Sequence, residues 1–155
     1  MREFLKVVLI CAALGFGGFL WFASQLTSVD KIDRSSADMR FRAAREQFTD
    51  QTVMLRMDEG GNVVELAPTS LPMFPVIPTD LVVLAWRGPA TGLVEVRIPI
   101  WFVRMKGPAL EFMLKDTAFE PRRWGLDVES MQARGAGLVL DHYGRGGERV
   151  LVWTE

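Results

Sequence analysis

Cysteine is nearly absent: Cys11 is the only one in 155 residues. No intrachain disulfide can therefore form, and no zinc site can be assembled from thiolates. Haem attachment is excluded on the same ground, because Cys11 has neither a partner cysteine nor a following histidine. Lipidation of Cys11 after signal cleavage is disfavoured by the bulky Ile10 just before it. Histidine is as scarce. With His142 alone, a metal site would need carboxylates for all its other ligands, and any nucleophile would have one possible base. A surplus of positive charge is missing too, with 18 Lys plus Arg against 19 Asp plus Glu in the chain and 11 against 13 from Gln51 onward. A nucleic-acid binder shows a clustered basic footprint, so nucleic acid is not expected as a partner. No internal repeat and no low-complexity tail breaks the pattern, and the length leaves room for one domain.

What the sequence does have is an uncharged run of 17 residues from Val7 to Ala23. As a helix rising 1.5 Å per residue it would cover about 25 Å. Flanking Phe4, Leu5 and Leu26, with Lys6 able to snorkel, extend it to the thickness of a bilayer core. Trp21 and Phe22 stand near its outer end, where amphipathic aromatics favour the interface. A cleaved signal peptide needs small residues at the third and first positions before the cut. Phe22-Ala23-Ser24 and Ala23-Ser24-Gln25 each misplace one, so the expectation is an uncleaved anchor. The basic residues Arg2 and Lys6 are balanced by Lys31, Arg34, Arg40 and Arg42, and the short positive head decides for an inside amino terminus. Ala13 and Gly17, with Cys11, Gly15 and Gly18 nearby, form a small-residue region where a second helix backbone can approach.

Beyond the anchor, Ser35 or Ser36 is expected to cap a helix running to about Phe48. Ala37, Phe41, Ala44 and Phe48 recur at helical spacing and make one apolar stripe, which must rest on the domain, on lipid or on a second copy. The period then changes to two. Val53 to Met57 and Val63 to Leu66 read as a hairpin around Asp58-Glu59-Gly60-Gly61-Asn62. Leu81 to Trp86 reads as a strand buried on both faces. Val94, Val96, Ile98, Ile100 and Phe102 alternate with Glu95, Arg97, Pro99, Trp101 and Val103; Pro99 calls for an edge position or a bulge. Leu110, Phe112 and Leu114 suggest a further strand. Asp127 can cap a short helix through Ala133, and Leu138 to His142 with Arg149 to Thr154 make a second hairpin around Tyr143 to Glu148.

The fold class expected is α+β, mainly β: one N-terminal transmembrane helix followed by a small antiparallel strand-rich domain with two short helices. The divisions fall at 1–26 for the cytoplasmic head and signal anchor, 27–50 for a juxtamembrane linker and amphipathic helix, and 51–155 for the extracytoplasmic β-rich domain. This is the layout of a single-pass protein of a cell inner membrane with its bulk in the periplasm.

Chemistry is hard to find in these residues. Glu95, Glu111 and His142 are the only candidates for an enzyme, and the charged faces of solvated strands account for the first two. The glycines of Gly144-Arg145-Gly146-Gly147 precede a strand and not a helix, so they form a turn and not a phosphate cradle. The stretch from Leu71 to Pro78 carries three prolines and no charge, which suits a rigid lid over one end of the sheet or a docking surface extended by Trp101. No catalytic residue, metal or cofactor is expected. The function expected is a membrane-anchored, non-enzymatic interaction module, an accessory subunit of an envelope complex. Its candidate partner-binding residues are Ala13, Gly17, Phe41, Phe48, Phe74, Ile77 and Trp101. The alternative is a binding domain for a small apolar or lipid ligand, with an enzyme third.

Overall fold

The computed structural model describes residues 24–67, 76–104 and 126–155, together with Trp21, Leu114, Thr117 and Phe119. Its elements in chain order are β1 (Thr27–Asp30), α1 (Arg34–Glu46), β2 (Leu55–Met57), β3 (Val63–Leu66), β4 (Asp80–Trp86), β5 (Leu93–Pro99), α2 (Ile100–Arg104), α3 (Val128–Arg134), β6 (Gly137–Tyr143) and β7 (Arg149–Thr154). The seven strands form one mixed sheet in the order β1-β5-β4-β7-β6-β2-β3, so the domain is a strand-rich α+β fold. No helix among the described residues is long and apolar enough to cross a membrane. The run from Val7 to Ala23 lies outside them apart from Trp21, as do Ala13, Gly17, Phe74, Phe112 and Glu111.

The sheet is mixed and not purely antiparallel because β2 pairs with β6 in parallel, Leu55 opposite Leu140. The cause is the direction of the preceding helices. α1 starts beside Tyr143, which accepts a hydrogen bond from Arg34, and ends just before Phe48, whose ring lies tilted against that of Trp153 at 6.1 Å. It thus descends the sheet and delivers the chain beside Gly137, where the Gln51 amide oxygen accepts from the Leu138 amide at 3.0 Å. β6 sets out from the same end after α3. Two strands entering from one end must run alike.

We call that end of the sheet the lower one. It holds the start of β4 and β6, the finish of β5 and β7, and the side from which the chain enters β1. The upper end consists of polar turns at 58–62, 87–92 and 143–148.

Both faces of the sheet are covered. On one, the stripe of α1 packs Ala37 and Phe41 onto Val82, Leu84, Trp86, Leu93, Leu138, Leu151 and Trp153, with Ala44 and Phe48 at its margin. On the other, Phe102, Val103, Val128 and Met131 of α2 and α3, with Leu114 and Phe119, close over Val83, Val94, Val96, Ile98, Val150 and Val152. The central strand β4 is buried from Leu81 to Trp86, which explains its unbroken apolar run.

Four local readings change. α1 begins two residues earlier than a cap at Ser35 would allow: Asp33 occupies the N-cap position and its carboxylate accepts the Ser35 hydroxyl. Hydrogen bonds from Ser35 and Ser36 hold the Asp33 carboxyl down at about 2. The linker expected from residue 27 is instead the edge strand β1, antiparallel to β5 with Val29 opposite Val94. β5 stops at Pro99, and Ile100 to Phe102 turn into α2. At Pro99 the strand is an edge, as the proline requires, because β1 no longer runs beside it. Ile100 donates to the Thr79 carbonyl at 2.8 Å, so the Pro99 nitrogen faces the β1 side, where pairing has already ended at Val96. Leu114 is helical, which removes it from the strand expected there, while Leu110 and Phe112 fall outside the described residues.

Asp127 caps α3 as its position suggests, accepting from the Ser130 amide at 2.6 Å, and Gly135 ends the helix at φ 86°. Asp127→Ala is expected to cost at least about 1 kcal/mol. A lowered midpoint in chemical denaturation, with an unchanged slope, is the measurement that checks it. Just beyond, the buried Thr154 hydroxyl accepts from the Gly137 amide at 3.1 Å and donates to the Gly135 carbonyl at 3.0 Å, tying the end of α3 to β7.

Candidate interaction surfaces

The two edges of the sheet differ in kind. β1 is a short edge with Asp30 and Ser28 on it, and its neighbour α1 leans across it through the Arg40–Asp30 pair at 3.4 Å. β3, at the other edge, is exposed at every residue. Three of its four side chains are apolar: Val63 is 41%, Val64 64% and Leu66 50% exposed. Among the described residues nothing pairs with its outer side. The Ala67 amide donates inward to the Met54 carbonyl at 2.8 Å. Strand alternation then turns the amide and carbonyl of Leu66 outward, unbonded within the sheet. Edge strands are normally blunted by charge, proline or a covering element, so an apolar open edge reads as a pairing site.

The hairpin that presents β3 is held by its turn. Asp58 accepts from the Gly60 amide at 2.9 Å and the Asn62 amide at 2.8 Å, and the Asn62 side chain approaches its second oxygen at 3.1 Å. Those bonds, from Asn62 first, lower the Asp58 carboxyl below its ordinary value. A depressed carboxylate stabilises the turn above the unfolded value near 4, and the contribution fades as pH falls through the lowered folded value. Across the upper end, Arg145 reaches Glu59 at 3.3 Å and links the two hairpin turns.

The second surface is the lower end. Val76 and Ile77 are 70% and 74% exposed, and Trp101 is 59% exposed with its ring edge-on to Phe102 at 5.8 Å. The backbone under them is well fixed: the Val76 carbonyl accepts from Ala136 at 3.0 Å, and Thr79 and Asp80 both donate to the Glu155 carbonyl, at 2.7 and 2.9 Å. These apolar side chains are therefore presented from a firm frame.

The residues singled out by sequence are not gathered in one place. Ile77 and Trp101 share the lower end. Phe41 is 0% exposed and Phe48 half-buried, so both belong to the seam between α1 and the sheet and offer a partner little or nothing. Ala13, Gly17 and Phe74 lie outside the described residues. β3 was readable as a strand, but its place at the open edge follows from long-range pairing and carries no local signal.

The titratable candidates are scattered. Glu95 on β5 and His142 on β6 are separated by β4 and β7, about 14 Å at the usual strand spacing. Among the described residues no three His, Cys, Asp or Glu side chains stand close enough to hold a metal ion. A groove of about 660 Å³ beside α1 is lined by Asp38, Arg42, Arg45, Glu46, Thr49 and Arg149. Two of its arginines are held in ion pairs, Arg45 with Asp141 at 3.2 Å and Arg149 with Asp38 at 3.8 Å.

Comparison with protein-family models, with curated proteins and with solved structures finds no significant match.

Proposed function

We propose that the chain is a membrane-anchored, non-enzymatic interaction module on the outer side of a cell inner membrane, acting as an accessory subunit of an envelope complex. The supporting observation is the open edge of β3, apolar at Val63, Val64 and Leu66 and unpaired on its outer side among the described residues. A partner segment adding as an eighth strand would satisfy the outward amide and carbonyl of Leu66 and cover the exposed valines. The uncharged run from Val7 to Ala23 supplies the anchor, and the small-residue region around Ala13 and Gly17 a second contact within the membrane.

The test is site-specific photo-cross-linking in native membranes from Val64 on β3, with Arg42 on the exposed side of α1 as the comparison site. A discrete protein adduct from Val64 and none from Arg42 is expected. Leu66→Pro should abolish the adduct while leaving the fold intact, because the lost amide faces outward and edge strands tolerate proline there. A chain that yields no adduct from β3, or one whose adduct survives Leu66→Pro, does not work by strand addition.

A second reading draws on the shallow groove between β1 and α1, where Ile32, Met39 and Ala43 provide an apolar lining for a small ligand. Retention of a small molecule by the detergent-extracted chain in native mass spectrometry is the result that would favour it.

A further inference from the structure

The two ends of the sheet are chemically opposed. The upper end is built from the turns Asp58 to Asn62, Arg87 to Gly92 and Tyr143 to Glu148, with charged residues in each. The lower end presents Val76, Ile77 and Trp101, three large apolar side chains more than half exposed. Scattered exposed hydrophobics are ordinary, but three on one end and polar turns on the other make a polarity along the strand axis.

The point of entry of the chain has the same polarity. Thr27 pairs with Val96 and Asp30 with Leu93, and β5 runs toward the lower end, so β1 climbs from below. Whatever precedes Thr27 therefore joins the domain at its lower end. There Leu26 packs against the core while Trp21 is 67% exposed. Only Ser24, Gln25 and Leu26 separate β1 from the 17 uncharged residues Val7 to Ala23, so that run is tethered to the same end of the sheet that carries Val76, Ile77 and Trp101.

We infer that the lower end of the sheet rests on the lipid bilayer, with Ile77 and Trp101 seated at its interface and the turns of the upper end directed away from it. The inference rests on the reading of Val7 to Ala23 as a membrane anchor. A tether of three residues reaches at most about 11 Å, so a domain joined to a membrane span at this end has this end at the headgroups. Tryptophan is the side chain that gains most at the membrane interface, and Ile77 supplies an aliphatic wedge of the kind that sinks about 5–10 Å into the headgroup boundary. Arg97 is paired with Glu155, and Arg104 extends to the Gln132 side chain at 2.5 Å, while Asp80 is bonded by the Thr79 hydroxyl at 2.8 Å. The contact lies well away from the upper half of β3 and leaves Val63 and Val64 free for a protein partner.

The experiment places an environment-sensitive fluorophore on single cysteines in the full-length chain with Cys11→Ser, reconstituted in phosphatidylcholine vesicles. Labels at Ile77→Cys and Trp101→Cys are expected to lose about half their emission to lipids carrying a quencher at the headgroup boundary, and a label at Glu59→Cys on the upper end to lose none. Replacing a third of the lipid by phosphatidylglycerol should leave the pattern unchanged, because the contact is apolar. Carbonate washing separates the two possible failures. A chain released from the vesicles overturns the anchor; a chain retained, with labels at 77 and 101 as unquenched as that at 59, overturns only the docking. Self-quenching at 77 that disappears on dilution with lipid, without quenching by the lipid itself, assigns the surface to a second copy and overturns the inference as well.

Discussion

Replacing Phe41 by alanine is expected to destabilise the folded chain by about 3–5 kcal/mol. The ring has no exposed surface and shares its cluster with Val82, Leu84, Leu93, Leu138 and Leu151, which come from four strands. Its loss removes the transfer energy of the side chain and leaves a cavity that four paired strands cannot collapse to fill. The Arg149 guanidinium lies 4.7 Å from the ring centroid, so the substitution also removes a cation–π contact that steadies Arg149 between Asp38 and Asp141. For a domain of this size the thermal midpoint should fall by more than about 10 °C. Near-ultraviolet circular dichroism of the full chain in detergent reads it, with Phe41→Leu as the milder comparison at about 1–2 kcal/mol. An unchanged midpoint would show that α1 does not rest on the sheet and would return Phe41 to the list of surfaces available to a partner.

That substitution also separates what was legible in the sequence from what was not. The stripe Ala37, Phe41, Ala44 and Phe48 announces an amphipathic helix, but periodicity says only that the stripe must be covered. It does not say by what. The sheet covers it, because Trp153 and Leu151 alternate on β7 with residues of the opposite core. The hairpins at 55–66 and 137–154, the buried β4 and the Asp127 cap were all written in local patterns of period, turn and cap residues.

Two strands show the limit of such patterns. Seven were expected and seven are present among the described residues, yet one of them is β1, where no strand was expected, and of the stretch from Leu110 to Leu114 only Leu114 is described, as helix. Thr27-Ser28-Val29-Asp30 has one large apolar residue and no alternation. It is a strand because its backbone finds the free side of β5, a long-range fact. The reverse holds for Ile100 to Phe102, where alternation continues past the end of β5 at Pro99. There the chain makes one more bond to the β4 side, from Ile100 to Thr79, and then turns into α2. The candidate surfaces share this character. Exposure of Ile77 and Trp101 was foreseeable from composition, whereas their common placement at the end where β1 begins depends on which way β1 climbs.

The junction at β1 gives the second large effect. Gly92 closes the turn before β5 at φ 76°, and a side-chain carbon added there would lie 2.6 Å from the Asp30 carbonyl oxygen and 3.3 Å from the Lys31 Cα. Gly92→Ala therefore incurs about 1–2 kcal/mol for the left-handed conformation. It also meets a clash with backbone, which no rotamer change can relieve. The total should exceed about 2 kcal/mol, with the strain released by detaching β1 from β5. Gly61 isolates the conformational part, since it has φ 79° and nothing within 4 Å of an added carbon. Gly61→Ala should cost about 1 kcal/mol and leave β1 untouched. Hydrogen exchange on the full chain in detergent distinguishes the outcomes: in Gly92→Ala the amides of Thr27 to Asp30 should lose protection while those of β4 and β7 keep theirs. Equal loss across the sheet would mean that β1 is integral to the core and not a separable edge. Because β1 joins the lower end to the uncharged segment before it, its detachment lengthens the tether by the four residues of the strand. The same variant is then expected to weaken quenching of a label at Ile77→Cys by lipid, while cross-linking from Val64 on β3, at the far edge of the sheet, is unchanged.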